Sequence, residues 1–138
     1  MKPKKVIIDT GPLVAFLNKL DKYHEWALMQ FAQLKPPFFT CESVISEVCF
    51  LLRHSEKGAQ NTLSMIERNL LQIPFNIETE INTVKLLLKK YNDIPMSLAD
   101  ACLVRMSEQI SESVIFTIDS DFKIYRKDSR KIIPVIMP

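Results

Sequence analysis

The sequence predicts an α/β fold in which a parallel sheet is covered by helices on both faces. Two observations carry this. Five short apolar runs alternate along the chain with stretches of helical periodicity, and the runs lack the strict period-two pattern of half-exposed strands. Length and composition agree. The 138 residues, 47% hydrophobic and 25% charged, suffice for one domain that buries about 70% of its unfolded surface without disulfide or structural metal. No repeat, low-complexity tract or Gly/Ser linker divides residues 1–138.

Val6-Ile7-Ile8 is a continuous β-branched run, ended by Asp9-Thr10-Gly11-Pro12, and reads as a buried strand turning into a helix over 13–20. A second helix, 22–34, gathers Tyr23, Trp26, Ala27, Gln30, Phe31 and Leu34 on one stripe, with Tyr23 and Trp26 read as core. Pro36-Pro37 stops it, and Phe38-Phe39-Thr40-Cys41 is the second strand. Residues 43–54 are helical with Val44, Val48, Leu51 and Leu52 inward, and Gly58 precedes a helix packed through Leu63, Ile66 and Leu70. Leu71-Gln72-Ile73 is a weak third strand, closed by Pro74. The next helix, 78–91, is amphipathic on Ile81, Val84, Leu87 and Leu88. Ser97 caps a helix running to about residue 110. Val114-Ile115-Phe116-Thr117-Ile118 is the fourth strand, a helical turn follows over 121–125, and 132–136 is the fifth strand.

Composition excludes several functions. The only two glycines, Gly11 and Gly58, are far apart, so no glycine-rich phosphate loop exists. Cys41, Cys49 and Cys102 lack paired spacing and sit among apolar residues, as buried thiols of a reducing cytoplasm do. His24 and His54 match no zinc pattern. No uncharged run exceeds nine residues, far short of a membrane span, and Asp9 interrupts the apolar run behind the basic N-terminus, against a signal peptide. Localisation is therefore expected to be cytoplasmic.

In parallel sheets, ligands bind beyond the carboxyl ends of the strands. There the sequence places acids: Asp9 closes the first strand, and Asp119 follows the fourth with Asp121 two residues on. Singly, each also serves as a helix cap. Glu47 lies at the rim of the inward face of its helix, where an ionised carboxylate needs a cation or donors. Asp100 stands three residues after Ser97, on an almost wholly apolar helix, and suits both a capping box and a ligand role. Gathered on one sheet edge, these carboxylates repel unless a divalent cation neutralises them. All-oxygen ligation suits Mg²⁺ or Mn²⁺, the usual apparatus of phosphodiester hydrolysis.

Four segments, in order, resemble the PIN-domain family and its small ribonuclease toxins of toxin–antitoxin pairs. They are Val6-Ile7-Ile8-Asp9-Thr10-Gly11-Pro12, Ile45-Ser46-Glu47-Val48, Ser97-Leu98-Ala99-Asp100-Ala101 and Thr117-Ile118-Asp119-Ser120-Asp121-Phe122. No single motif is specific; the ordered set is. The resemblance implies a three-layer α/β/α sandwich with a central parallel five-stranded sheet, and Mg²⁺- or Mn²⁺-dependent endoribonuclease activity. It implies Asp9, Glu47, Asp100 and Asp119 as the acidic site, Asp121 as a further metal contributor, and Thr10 and Thr117 as supporting hydroxyls. An RNA substrate, a small antitoxin protein and a homodimer are the partners it implies. Gly11-Pro12 departs from the Asp-Thr-Ser that is common among the toxins.

Asp9, Asp100 and Asp119 are then expected to hold one metal, with Glu47 completing it or orienting a second. Lys123, Arg126, Lys127, Arg130 and Lys131 follow the last acidic motif, either as a solvated charged loop or as contacts to RNA phosphates. A receiver-type signalling domain is disfavoured, because the third strand ends in Pro74-Phe75-Asn76 and no lysine follows the fifth. Gly11 stands where a haloacid-type phosphatase needs its second Asp. A non-catalytic RNA- or protein-binding module is the alternative. The net charge of +2 takes on meaning here: without four clustered acids, 18 bases face 12, a basic surface around an acidic pocket.

Overall fold

The computed structural model describes residues 4–138. Its sheet is built from β1 (Lys5–Ile8), β2 (Phe38–Phe39), β3 (Leu71–Gln72), β4 (Ser113–Phe116) and, near the C-terminus, Val135–Ile136. A separate pair of short strands precedes that last one in the chain, so the series continues β5 (Arg126–Lys127), β6 (Lys131–Ile132) and β7 (Val135–Ile136). Spatial order is β3-β2-β1-β4-β7, and all pairings in this sheet are parallel. Six helices flank it: α1 (Thr10–Leu17), α2 (His24–Gln33), α3 (Glu42–Leu51), α4 (Gly58–Glu67), α5 (Ile81–Lys90) and α6 (Leu98–Gln109). The expected five-stranded parallel sandwich is the observed fold. The four residues of β4 are all buried, as a strand covered on both faces requires.

An aromatic cluster joins α2 to the sheet. Phe31 packs on Phe38 and Phe116 at centroid distances of 5.1 and 5.3 Å, and Trp26 meets Phe116 edge-on at 5.4 Å. Trp26 is thus a core residue, half-buried. The helix α6 is buried through Ala99, Asp100, Ala101, Cys102, Leu103 and Val104, because its small, apolar surface lets it lie against β1 and β4. Arg105 clamps α5 to α6 by bonding Glu80 at 2.6 Å and Glu108 at 3.1 Å. All three cysteines are free.

Three readings of the sequence are corrected. Leu51 does not face the core: the inward stripe of α3 is Val44, Ile45 and Val48, continued by Leu52 just past its end, and Leu51 is half exposed on the flank that borders the acids. Gly58, Thr62 and Met65 form the buried face of α4, leaving Leu63 exposed. Small residues face inward there because the helix closely approaches the end of α3. Likewise Ile81 is exposed, and α5 packs through Val84 and Leu87.

The expected fifth strand, 132–136, is divided. Ile132 belongs to the antiparallel β5–β6 hairpin, whose turn holds Asp128 and Ser129 at positive φ. Only β7 joins the main sheet. Pro134, without an N–H, separates the two segments, and its carbonyl accepts from Ile115 N–H at 2.9 Å.

Gly58 shows how tight the α3–α4 corner is. A Cβ there would stand 2.7 Å from both the Leu52 carbonyl oxygen and the Leu52 Cβ. Gly58→Ala is therefore expected to destabilise the protein by about 1–3 kcal/mol in urea unfolding, although alanine is the better helix former by about 1 kcal/mol. Stabilisation by this substitution would contradict the close packing.

Candidate active site

The site is set by the pairing of β1 with β4. Their register aligns Ile8 with Phe116, so the next residues, Asp9 and Thr117, emerge side by side at the carboxyl ends of two central strands. The Asp9 N–H donates to the Phe116 carbonyl at 2.9 Å, extending the ladder by one bond. Both side chains are buried, and the Thr117 hydroxyl donates to Asp9 Oδ2 at 2.7 Å. Asp9 Oδ1 accepts the Thr10 N–H at 2.7 Å, capping α1. Capping and site membership therefore coexist in one residue.

Thr117 has a second task. Its oxygen accepts the Asp119 N–H at 3.0 Å, which turns the chain after β4 and aims Asp119 at the same edge. Asp119 Oδ1 accepts the Asp121 N–H at 2.9 Å and caps the short 3₁₀ turn Ser120–Lys123. Asp100 arrives from the first turn of α6, where the Ser97 hydroxyl accepts its N–H at 3.0 Å. Its Oδ2 accepts the Tyr125 hydroxyl at 2.8 Å. Tyr125 is fully buried, edge-on to Tyr91 and Phe122, and was not singled out in the sequence. A tyrosine one turn after an acidic strand end is a usable signal, because a buried phenol needs a polar partner.

Asp9, Thr10, Glu47, Asp100, Asp119 and Asp121 line one cleft of about 510 Å³, with Leu51, Pro95 and Ile118 among its apolar walls. Gly11 lets α1 approach closely there, since a Cβ on it would lie 3.2 Å from the Ile118 side chain. Glu47 reaches the cleft from α3 and is exposed. Thr117 lies behind the acids as their hydrogen-bonding support. The basic residues take other positions. Lys123 is exposed on the 3₁₀ turn, Lys127 and Arg130 belong to the β5–β6 hairpin region, and Lys131 approaches Asp128 at 3.9 Å. Arg126 Nη1 donates to the carbonyls of Lys123, Ile124 and Tyr125, so part of its guanidinium serves the local chain.

Among the described residues, five carboxylates and no lysine, arginine or histidine line this cleft. Burial raises the Asp9 pKa to about 6, the Thr117 and Thr10 hydrogen bonds oppose the rise, and Asp100 and Asp119 add to it by repulsion. Asp100 is also raised, mainly by burial, against the lowering effect of Tyr125 and Ser97. Among the described residues, no three acid, His or Cys side chains converge as they stand into a ready ligand cage. Asp9, Asp100 and Asp119 instead turn oxygens toward Thr10, Thr117, Tyr125 and the Asp121 N–H. The donor set still fits a hard cation of the Mg²⁺ kind, which keeps several waters and takes only one or two carboxylates directly. The Thr10 hydroxyl, buried and without a hydrogen-bond partner, is a further polar group left for a ligand or its water.

The Asp9 shift has a sign that can be checked. Its folded pKa, about 6, exceeds the reference 3.8, so the folded state holds the extra proton and stability is lost as pH rises between these values. Without added metal, Asp9→Asn is expected to be more stable than the parent at pH 7 by on the order of 3 kcal/mol. The difference should shrink toward pH 4. A gap that is constant from pH 4 to pH 7 in denaturant titrations, or one of opposite sign, would refute strained ionisation of Asp9.

Comparison with known proteins places this geometry in a family. A PIN domain profile matches residues 6–128. The soluble guanylate cyclase gcy-31 of Caenorhabditis elegans is 27% identical over 122 residues, covering 80% of this chain but 17% of the cyclase, so the chain spans about a sixth of that relative's length. Among solved structures, Mycobacterium tuberculosis VapC20, described as a sarcin-ricin loop cleaving toxin, superposes with a TM-score of 0.74. That match covers 94% of this chain and 100% of VapC20 at 18% identity, a likeness of fold. The profile spans four of the five sheet strands and every acid of the cleft, and the chain belongs to the PIN-domain family.

Proposed function

We propose that the protein is a divalent-metal-dependent endoribonuclease that hydrolyses RNA phosphodiester bonds, acting as the toxin of a toxin–antitoxin pair. The observation that carries the reading is the cleft with five carboxylates and no base, at the carboxyl end of the sheet of a PIN domain. Burial, with some repulsion from neighbouring acids, raises Asp9 and Asp100, a cost that a bound cation would relieve. VapC20, which shares the fold, is described as a sarcin-ricin loop cleaving toxin, and this supports the toxin reading.

In this reading Asp9, Asp100 and Asp119 hold Mg²⁺ or Mn²⁺, with Asp121 contributing and Glu47 completing the set from α3. The chemistry such an ion supplies is activation of a water at neutral pH and neutralisation of charge on the phosphoryl oxygens. The chain's own residues do the positioning. Thr117 fixes Asp9 and Asp119 relative to each other through one hydroxyl. Tyr125 holds Asp100 by its Oδ2. Lys123, Lys127 and Arg130, with the uncommitted nitrogens of Arg126, bind flanking phosphates and give affinity without sequence readout. Water adds to phosphorus, the bond to the 3′ oxygen breaks, and a proton passes to that oxygen. The products are a 5′-phosphate and a 3′-hydroxyl.

Three outcomes are expected. Incubated with mixed cellular RNA, the parent should cleave with Mg²⁺ or Mn²⁺ and not with chelator, and Asp9→Asn and Asp100→Asn should lose cleavage while keeping the fold. Full activity in both variants would sink the assignment. Thr117→Val should lower cleavage by about 10- to 100-fold, the usual effect of removing a ligand's supporting hydrogen bond. Neutralising Lys123, Lys127 and Arg130 together should flatten the dependence of RNA affinity on salt, by about 0.7 in log–log slope per lost phosphate contact. An unchanged slope would leave those side chains as solvated charges only.

A further inference from the structure

The helix that delivers Glu47 to the cleft carries another feature on the same flank. Ser43, Ser46, Glu47 and Phe50 follow the i, i+3, i+4, i+7 spacing of one helical stripe, and they line a second, shallower groove. Glu47 borders both this groove and the acidic cleft, so the two are continuous. Phe50 is 60% exposed, a large aromatic in water beside a carboxylate. Its ring is not loose. The Arg53 guanidinium carbon lies 4.0 Å from the ring centroid, and Arg53 Nη1 donates to the Phe50 carbonyl at 2.8 Å. Arg53 makes no ion pair with Glu47 or Glu42, so its charge stays on the Phe50 ring.

We infer that Phe50 and Arg53 form a base-stacking subsite for a nucleotide flanking the cleaved phosphate, a proposal that rests on the ribonuclease reading above. Chemistry favours RNA here over a protein surface. A flat ring accepts the face of any base, and the guanidinium supplies both a second planar surface and a cation for the attached phosphate. The groove's remaining side chains, Ser43, Ser46 and Glu42, offer oxygens that accept hydrogen bonds from the amino groups on base edges. Continuity through Glu47 also fixes the distance scale: the stacked base lies one helical turn from the acid, next to the reacting phosphate rather than far along the strand.

The test uses the full chain as Asp9→Asn, so that RNA is not consumed, and a short fluorescein-labelled single-stranded RNA read by anisotropy. Phe50→Ala is expected to weaken binding by about 5- to 150-fold, and Phe50→Tyr to restore it. A set of oligonucleotides, each with one abasic site, should contain one position at which the Phe50→Ala penalty disappears. Equal affinity of Phe50→Ala and its parent, or a penalty independent of every abasic position, would overturn the subsite. Unchanged RNA affinity with a smaller assembly by size-exclusion would assign the face to a second copy of the chain and would also overturn it. The nuclease reading is judged separately, by whether the protein with Asp9 intact cleaves the same RNA.

Discussion

One threonine hydroxyl organises the functional end of this fold. Thr117 donates to Asp9 and accepts from the Asp119 backbone, so a single oxygen joins the ends of two central strands and sets the angle of the chain beyond. It can do so only because β1 and β4 pair in a register that aligns Ile8 with Phe116. Slipping the strands by one residue would put Asp9 and Thr117 on opposite sides of the sheet. The hydrophobic core therefore specifies the chemistry: burial of Val6, Ile7, Ile8 and β4 fixes the register, and the register brings the polar pair together.

Around that bond, the fold works against electrostatics. Asp9, Asp100 and Asp119 approach one another in partly desolvated surroundings, and Asp9 loses its proton only near pH 6. Each acid is held by its own donors: Thr10 N–H and the Thr117 hydroxyl on Asp9, the Tyr125 hydroxyl on Asp100, and the Asp121 N–H on Asp119. Those donors keep the carboxylates in place without neutralising them. Outside the five acids of the cleft the sequence carries 18 bases against 11 acids, so the negative charge is concentrated at one cleft of an otherwise basic chain.

Much of this was legible in the residues. An acid directly after a buried β-branched run has no role in packing, which is why Asp9 and Asp119 stood out. Glu47 lines the same cleft, but as an exposed side chain, because its wheel neighbours Leu51 and Phe50 face solvent rather than the core. Other features were hidden. Tyr125 looks like one more apolar residue in sequence; its partner, Asp100, is distant in the chain and becomes a neighbour only through the fold. Leu51 and Leu63 were misplaced because apolar spacing alone does not say which of two adjacent stripes faces inward when helices meet at a tight corner. Ile132 and Ile133 continue the apolar pattern of Val135 and Ile136 and so read as one strand, although Pro134 breaks the pairing and Ile132 belongs to a hairpin that the sequence does not signal.

In the proposed reading, a divalent cation binds the acidic cleft in competition with the protons of its carboxylates. Calorimetric titration of Mn²⁺ into the protein, in buffers of different ionisation enthalpy at pH 6 and pH 8, measures this directly. One saturable site is expected, with release of about half a proton or more at pH 6, release falling toward zero at pH 8, and weakened or lost binding in Asp9→Asn. Absence of saturable binding, or binding whose proton release is the same at both pH values, would contradict it.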